Sequence, residues 1–166
     1  MSTHANSTRR NLLTGTATTA FMLCGQALAE TPSRGPFTIE GWKAAWNNPN
    51  PERVMARIPL ITTPDVTGYW PRASRPVRGP KEYAQRIVDL LTFIPDFRAE
   101  LVEHATNGDI MFLRWVATGT GPDGRFEAIG VDRLIVSNGY VAENLILSDH
   151  PIFAVIARRV GDMRAE

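Results

Sequence analysis

Three short turn signals constrain this chain more than any other feature. Asn107-Gly108, Gly121-Pro122-Asp123-Gly124 and Ser137-Asn138-Gly139 cut its second half into stretches of strand-like texture. Each signal supplies residues that accept the backbone of a tight reversal. Segments 97–106, 109–119, 125–136 and 140–149 are rich in β-branched and aromatic residues alternating with polar ones. Four hairpin-linked antiparallel strands are therefore predicted.

The first half has helical periodicity instead. Thr38 can cap a helix in which Ile39, Trp42, Lys43, Ala45 and Trp46 share a face, and the Asn/Pro run at 47–51 ends it. Pro51 opens a second helix with Val54, Met55 and Ile58 inward, which Pro59 is expected to stop. Residues 60–71 read as irregular or short-stranded. Gly79-Pro80 starts a third helix, with Tyr83, Ile87, Leu90, Leu91 and Ile94 on one face and Pro95 beyond its end. A short helix is expected over 150–160. Helices segregated from strands mean an α+β domain, with three N-terminal helices packed on a curved, cone-shaped antiparallel sheet. The open mouth of such a cone is a natural pocket for an apolar small molecule.

Residues 1–10 are polar and basic, 11–28 are mildly apolar and uncharged, and Ala27-Leu28-Ala29 is a small-x-small site. This is the layout of an export signal. Thr8-Arg9-Arg10-Asn11-Leu12-Leu13 resembles the bacterial twin-arginine pattern. The expected organisation is a twin-arginine signal peptide at 1–29, a linker at 30–36, the folded domain at 37–160 and a tail at 161–166, with the product periplasmic or secreted. Cleavage after Ala29 would remove Cys24, the only thiol, so neither a disulfide nor a cysteine nucleophile is expected in the mature chain. It would also remove Arg9 and Arg10, leaving 16 Lys and Arg against 17 Asp and Glu. A near-neutral domain has no global field to draw in nucleic acid, and none is expected as a partner. Arg72, Arg75, Arg78 and Lys81 cluster locally, interleaved with prolines, and read as a solvated loop. No apolar run matches the roughly 18 residues of a membrane span, so no integral membrane segment is expected after processing. His104 and His150 lack spaced carboxylate partners, and no Gly-rich phosphate cradle occurs, so neither a metal nor another cofactor is expected.

Four stretches resemble the nuclear transport factor 2-like superfamily, in particular its SnoaL-like polyketide cyclase group. They are Trp46-Asn47 with Glu52-Arg53-Val54, Gly79 opening the third helix, the apolar strand from Ile110 through Gly119-Thr120, and the closing hairpin containing Gly130-Val131-Asp132-Arg133-Leu134 and Asn138 to Asn144. The resemblance implies the same α+β cone and places catalytic groups on inward positions of the last strands. In limonene epoxide hydrolases, which share that fold, an Asp-Arg-Asp arrangement with a Tyr and an Asn activates water. Arg114 falls at the Arg position and Tyr69 near the Tyr, but Val116, Ile146 and Pro71 stand where the Asp, Asp and Asn would be. Epoxide hydrolysis by that route is disfavoured. SnoaL-like cyclases use a carboxylate on the last strand, a region that is apolar here around Ile146.

Strand parity suggests a different set. If Arg114 points inward, so do Phe112 and Val116, and the hairpin is expected to bring Asp132 and Leu134, then Asn144 and Ile146, to the same side. Asp132, Arg114 and Tyr69 are the candidate catalytic residues: a general base, its charged partner and an enolate stabiliser. Trp70, Phe112, Val116, Leu134, Asn144 and Ile146 are the candidate substrate contacts. The bland alternative is that Arg114 and Asp132 form a structural ion pair. Trp42, Trp46 and Trp115 read as core or interface residues.

Three functions remain open. One is a cofactor-free isomerase, cyclase or lyase moving a proton on a small hydrophobic carbonyl compound. The second is a non-catalytic binder of a small hydrophobic molecule. The third is an interaction domain forming a homodimer through an outer sheet face that buries Met111, Leu113 and Trp115.

Overall fold

The computed structural model describes residues 35–162, with side chains through Val160. The expected signal peptide at 1–29, most of the linker at 30–36 and the end of the expected tail lie outside the described residues.

The three expected helices start where Thr38, Pro51 and Gly79-Pro80 predict. In α1 (Ile39–Asn47), Thr38 accepts the Gly41 N–H at 3.0 Å. In α2 (Pro51–Ile61), Asn50 accepts the Arg53 N–H at 3.1 Å. Pro59 does not stop α2, which runs two residues further. Proline in a last turn costs one backbone bond, and the helix end is covered by Thr62, whose hydroxyl donates to the Ile58 carbonyl at 2.8 Å. After β1 (Thr62–Tyr69) and the two-residue β2 (Val77–Arg78), α3 spans Gly79–Phe93. Gly79 adopts φ +76°, a left-handed backbone that suits glycine. Glu82 closes the start of α3 by accepting the Arg78 N–H at 2.8 Å and pairs with Arg75 on the basic loop.

The strands β3 (Arg98–Asn107), β4 (Ile110–Gly121), β5 (Gly124–Ser137) and β6 (Tyr140–Leu147) follow the hairpin pattern expected, and α4 covers Ile152–Asp162. At the last hairpin Asn138 and Gly139 have φ 51° and 83°, so both central residues take the left-handed backbone of a two-residue turn. The architecture is α+β with helices on a curved sheet. The sheet has six strands in the order β2-β1-β6-β5-β4-β3. It is mixed, because β1 runs parallel to β6. Residues 62–69, within the stretch expected to be irregular or short-stranded, form that parallel strand; its Val66 is fully buried and its ladder partner β6 is distant in sequence.

Register decides which side chains face the helices. The β4–β5 turn closes with Gly121 opposite Gly124, so Leu113 pairs with Asp132 and Arg114 with Val131. Directly opposed residues share a face. Leu113, Trp115 and Ala117 are therefore on the helix side with Asp132, and all are buried. The expectation that Arg114, Phe112 and Val116 point inward is overturned: the closure is one residue out of step with that assumption, which moves alternate side chains to the opposite face. The dimer face expected to bury Leu113 and Trp115 is corrected for the same reason. The outward face instead exposes Phe112, Ile129 and Leu147.

Helix α4 seals one end of the core through Ile152, Phe153, Ile156 and Val160. His150 caps it, Nδ1 accepting the Ile152 N–H at 3.2 Å. Among the described residues no helix is long and apolar enough to cross a membrane, and no cluster of three His, Cys, Asp or Glu is placed to hold a metal ion.

Candidate functional site

A cavity of about 580 Å³ opens between α1, α2 and α3 and the inner face of the sheet. This is ample for a small organic ligand. Its wall includes all four tryptophans, Trp42, Trp46, Trp70 and Trp115, with Phe97 and Phe153. The rings pack against one another, Trp42 to Trp46 at 6.2 Å and Trp46 to Phe97 at 5.6 Å between centroids.

Among the described residues, Asp132 is the one carboxylate lining this cavity, and it is only 5% exposed. The Trp115 indole donates to Oδ1 at 2.9 Å and the Trp42 indole to Oδ2 at 3.4 Å. Gly130 makes the first contact possible. It lies directly across from Trp115, and a Cβ there would collide with the indole. The ring therefore lies over bare backbone, two residues from Asp132. No ion pair found among the described residues includes Asp132. Burial pushes its pKa up, hydrogen bonds from Trp115, Trp42 and Asn144 hold it down, and the balance leaves it at about 6.

A second polar group stands beside it. The Asn144 amide donates to the Tyr83 hydroxyl oxygen at 2.7 Å, in a buried pair. Gly68 permits this approach. It is Asn144's neighbour in the β1–β6 ladder, and the Tyr83 ring fills the space a Cβ at Gly68 would need. Burial, then the nearby charge of Asp132, raises the Tyr83 pKa, outweighing the Asn144 hydrogen bond that lowers it. The phenol thus stays protonated, and because its oxygen accepts from Asn144, its O–H is available as a donor.

Asp132, Leu134, Asn144, Ile146 and Trp70 line the cavity together. Arg114 does not. Its guanidinium is on the outward face, bound to Glu103 at 2.6 Å. Phe112 and Val116 share that face, and Tyr69 is 38% exposed outside the cavity wall. The sequence pattern puts Tyr83 on a helix's apolar face and reads Trp42, Trp46 and Trp115 as core or interface residues, with only Trp70 among the candidate contacts. The available signal was Gly68 and Gly130, small residues within strands, which can mark close approach of a bulky neighbour.

The model of the SnoaL-like domain matches residues 39–144, well over half of the chain. The chain belongs to the SnoaL-like family. No curated protein matches this SnoaL-like chain. Solved structures share its fold. A Catenulispora acidiphila protein with a ketosteroid isomerase-like fold, determined in complex with trimethylamine, is 15% identical with TM-score 0.58, covering 66% of this chain and 82% of its own. A steroid delta-isomerase from Pseudomonas aeruginosa is 16% identical with TM-score 0.56, covering 76% and 88%. A de novo designed protein with a curved β-sheet is 16% identical with TM-score 0.59, covering 75% and 92%. Likeness at this level establishes architecture, and a designed protein shares it as closely as an enzyme does. Function must be argued from the site.

Proposed function

We propose that this SnoaL-like domain is an isomerase, cyclase or lyase that moves a proton on a small hydrophobic carbonyl compound. The observation that carries this reading is Asp132: a buried carboxylate on an apolar cavity wall, held by N–H donors and pushed up to about 6. A base with that pKa is ionised at neutral pH yet strong enough to take a proton from carbon beside a carbonyl. In the proposed step Asp132 removes that proton, and the C–H electron pair shifts to make the carbonyl an enolate. The Tyr83 O–H donates a hydrogen bond to the enolate oxygen, the role first assigned to Tyr69. Asp132, now protonated, returns the proton to another carbon or delivers it to a leaving group. Trp42 and Trp115 hold the carboxylate in place, and Trp70, Leu134 and Ile146 supply apolar contact. The isomerase named among the structures of this fold supports the reaction class.

The test is a panel of β,γ-unsaturated ketones, followed by absorbance as the double bond moves into conjugation. Turnover should rise with pH through about 6, and Asp132→Asn should lower kcat/KM by roughly a thousandfold. A variant as active as the parent would refute the base assignment.

The same indole bonds favour a second reading, a binder without turnover, because they already satisfy the carboxylate. Ligand affinity unchanged in Asp132→Asn, with no turnover by the parent, would select it. We also propose export through the twin-arginine pattern at Arg9-Arg10 to the periplasm or beyond, and a homodimer in contact through the exposed Phe112, Ile129 and Leu147. Equilibrium sedimentation as a monomer would remove the dimer.

A further inference from the structure

The other charges on the cavity wall come from α2. Arg53 and Arg57 both line it, four residues apart and so on one face of the helix. Neither takes part in an ion pair found among the described residues. Arg57 is half-buried, and its Nε is fully buried without a hydrogen-bond partner. Its guanidinium lies against the first turn of α1, where a Cβ at Gly41 would collide with it. The Trp70 Nε1, on the same wall, is a second buried donor without an acceptor. Buried N–H groups in folded proteins nearly always have partners. Asp132 does not compensate here: it accepts from Trp42 and Trp115, while Arg57 Nε and Trp70 Nε1 have no bond to it. The wall thus offers two guanidinium groups from α2 and the Trp70 N–H as donors, and among the described residues its one acid is Asp132.

We infer that the ligand is an organic anion, an apolar body bearing a carboxylate or comparable acidic group, and that Arg57 receives that group with Arg53 and the Trp70 indole in support. This rests on the cavity reading above and narrows it: the substrate class becomes an apolar oxo acid, anchored by its acid at α2 with its carbonyl toward Asp132 and Tyr83. Arg57 is then a specificity-determining residue, since a guanidinium makes paired, charge-assisted hydrogen bonds to a carboxylate. A neutral ligand of the same shape would leave these donors unmet.

Two dyes sharing one apolar body test this on the full chain without any turnover. One is 8-anilinonaphthalene-1-sulfonate; the other is the neutral N-phenyl-1-naphthylamine. Binding in the cavity is read as energy transfer from the four tryptophans that line it. The sulfonate should bind about tenfold or more tightly than the neutral dye. Arg57→Gln should abolish that preference with neutral-dye affinity unchanged, Arg57→Lys should restore part of it, and circular dichroism should match the parent. Added salt should weaken the sulfonate alone in the parent protein, a measurement that does not depend on any variant folding. Equal binding of the two dyes, or a preference that survives Arg57→Gln, overturns the inference and leaves the proton-transfer reading standing. If neither dye binds, the cavity reading and this inference fall together. Dye discrimination as described, with no turnover of any ketone, would keep the anion site and remove the enzyme.

Discussion

Trp115 reaches over Gly130 to donate its indole N–H to Asp132 at 2.9 Å, inside the sheet face that the helices cover. One strand thus supplies the donor, its neighbour supplies both the gap and the acid, and register brings the three together. The chemistry proposed for this chain depends on that contact, because a buried carboxylate without donors would stay protonated near neutral pH.

Asp132 should make stability depend on pH in a definite direction. Its folded pKa of about 6 exceeds the ordinary 3.8, so its stabilising contribution is present in full below about 4 and is lost as pH rises through about 6. Ionising it in the folded state costs about 3 kcal/mol by that difference. Asp132→Asn removes the dependence. Urea denaturation should show the variant gaining on the parent between pH 4 and 7; parallel profiles across that window would contradict the assignment.

Trp115→Phe should raise the Asp132 pKa further. The indole bond favours the charged carboxylate, and burial then acts with less opposition. Carboxyl carbon NMR should find the titration midpoint above that of the parent, with stability at neutral pH lower by about 1–3 kcal/mol. A midpoint that stays put or falls would show that the indole does not hold the charge.

Gly130→Ala and Gly68→Ala should each destabilise the fold by roughly 1–3 kcal/mol, the usual range for overpacking. The added methyl meets the Trp115 ring at the first site and the Tyr83 ring at the second. Thermal melts measure the loss, and a shift in tryptophan emission should accompany the first substitution. Unchanged melting in both would mean that the rings can move aside freely.

Tyr83→Phe should lower turnover about a hundredfold by removing the enolate donor. Arg114→Gln and Tyr69→Phe should leave turnover unchanged. Arg114 is bound to Glu103 on the outward face, and Tyr69 is outside the cavity wall. Steady-state rates on one ketone compare all three. A large loss in Arg114→Gln would restore the pairing that strand parity first suggested.

Arg9→Lys combined with Arg10→Lys should abolish export through the twin-arginine route, since that signal is read as a pair. Cell fractionation with an epitope-tagged full chain measures it. Undiminished export would point to the general secretory route.

Local chemistry made much of this fold legible. The cap at Thr38, the prolines opening α2 and α3 and the turn residues of three hairpins announce the helices and four of the strands, because they act over only a few neighbouring residues. The apolar and small residues of the inner strands also point to a layered α+β domain with a hollow. Alternation groups Asp132 with Leu134 and Asn144 with Ile146, and the cavity wall holds all four. Arg114, Phe112 and Val116 could not be placed correctly, because a strand repeats every two residues and a hairpin closing one residue differently inverts every assignment across it. The turn residues allow either closure; packing of Leu113 and Trp115 under the helices selects the one with Gly121 opposite Gly124. The parallel strand at 62–69 and the meeting of Tyr83 with Asn144 lie still further from local reach. Both join segments some sixty or more residues apart, and such contacts are set by the packed three-dimensional arrangement rather than by any short-range preference of the chain.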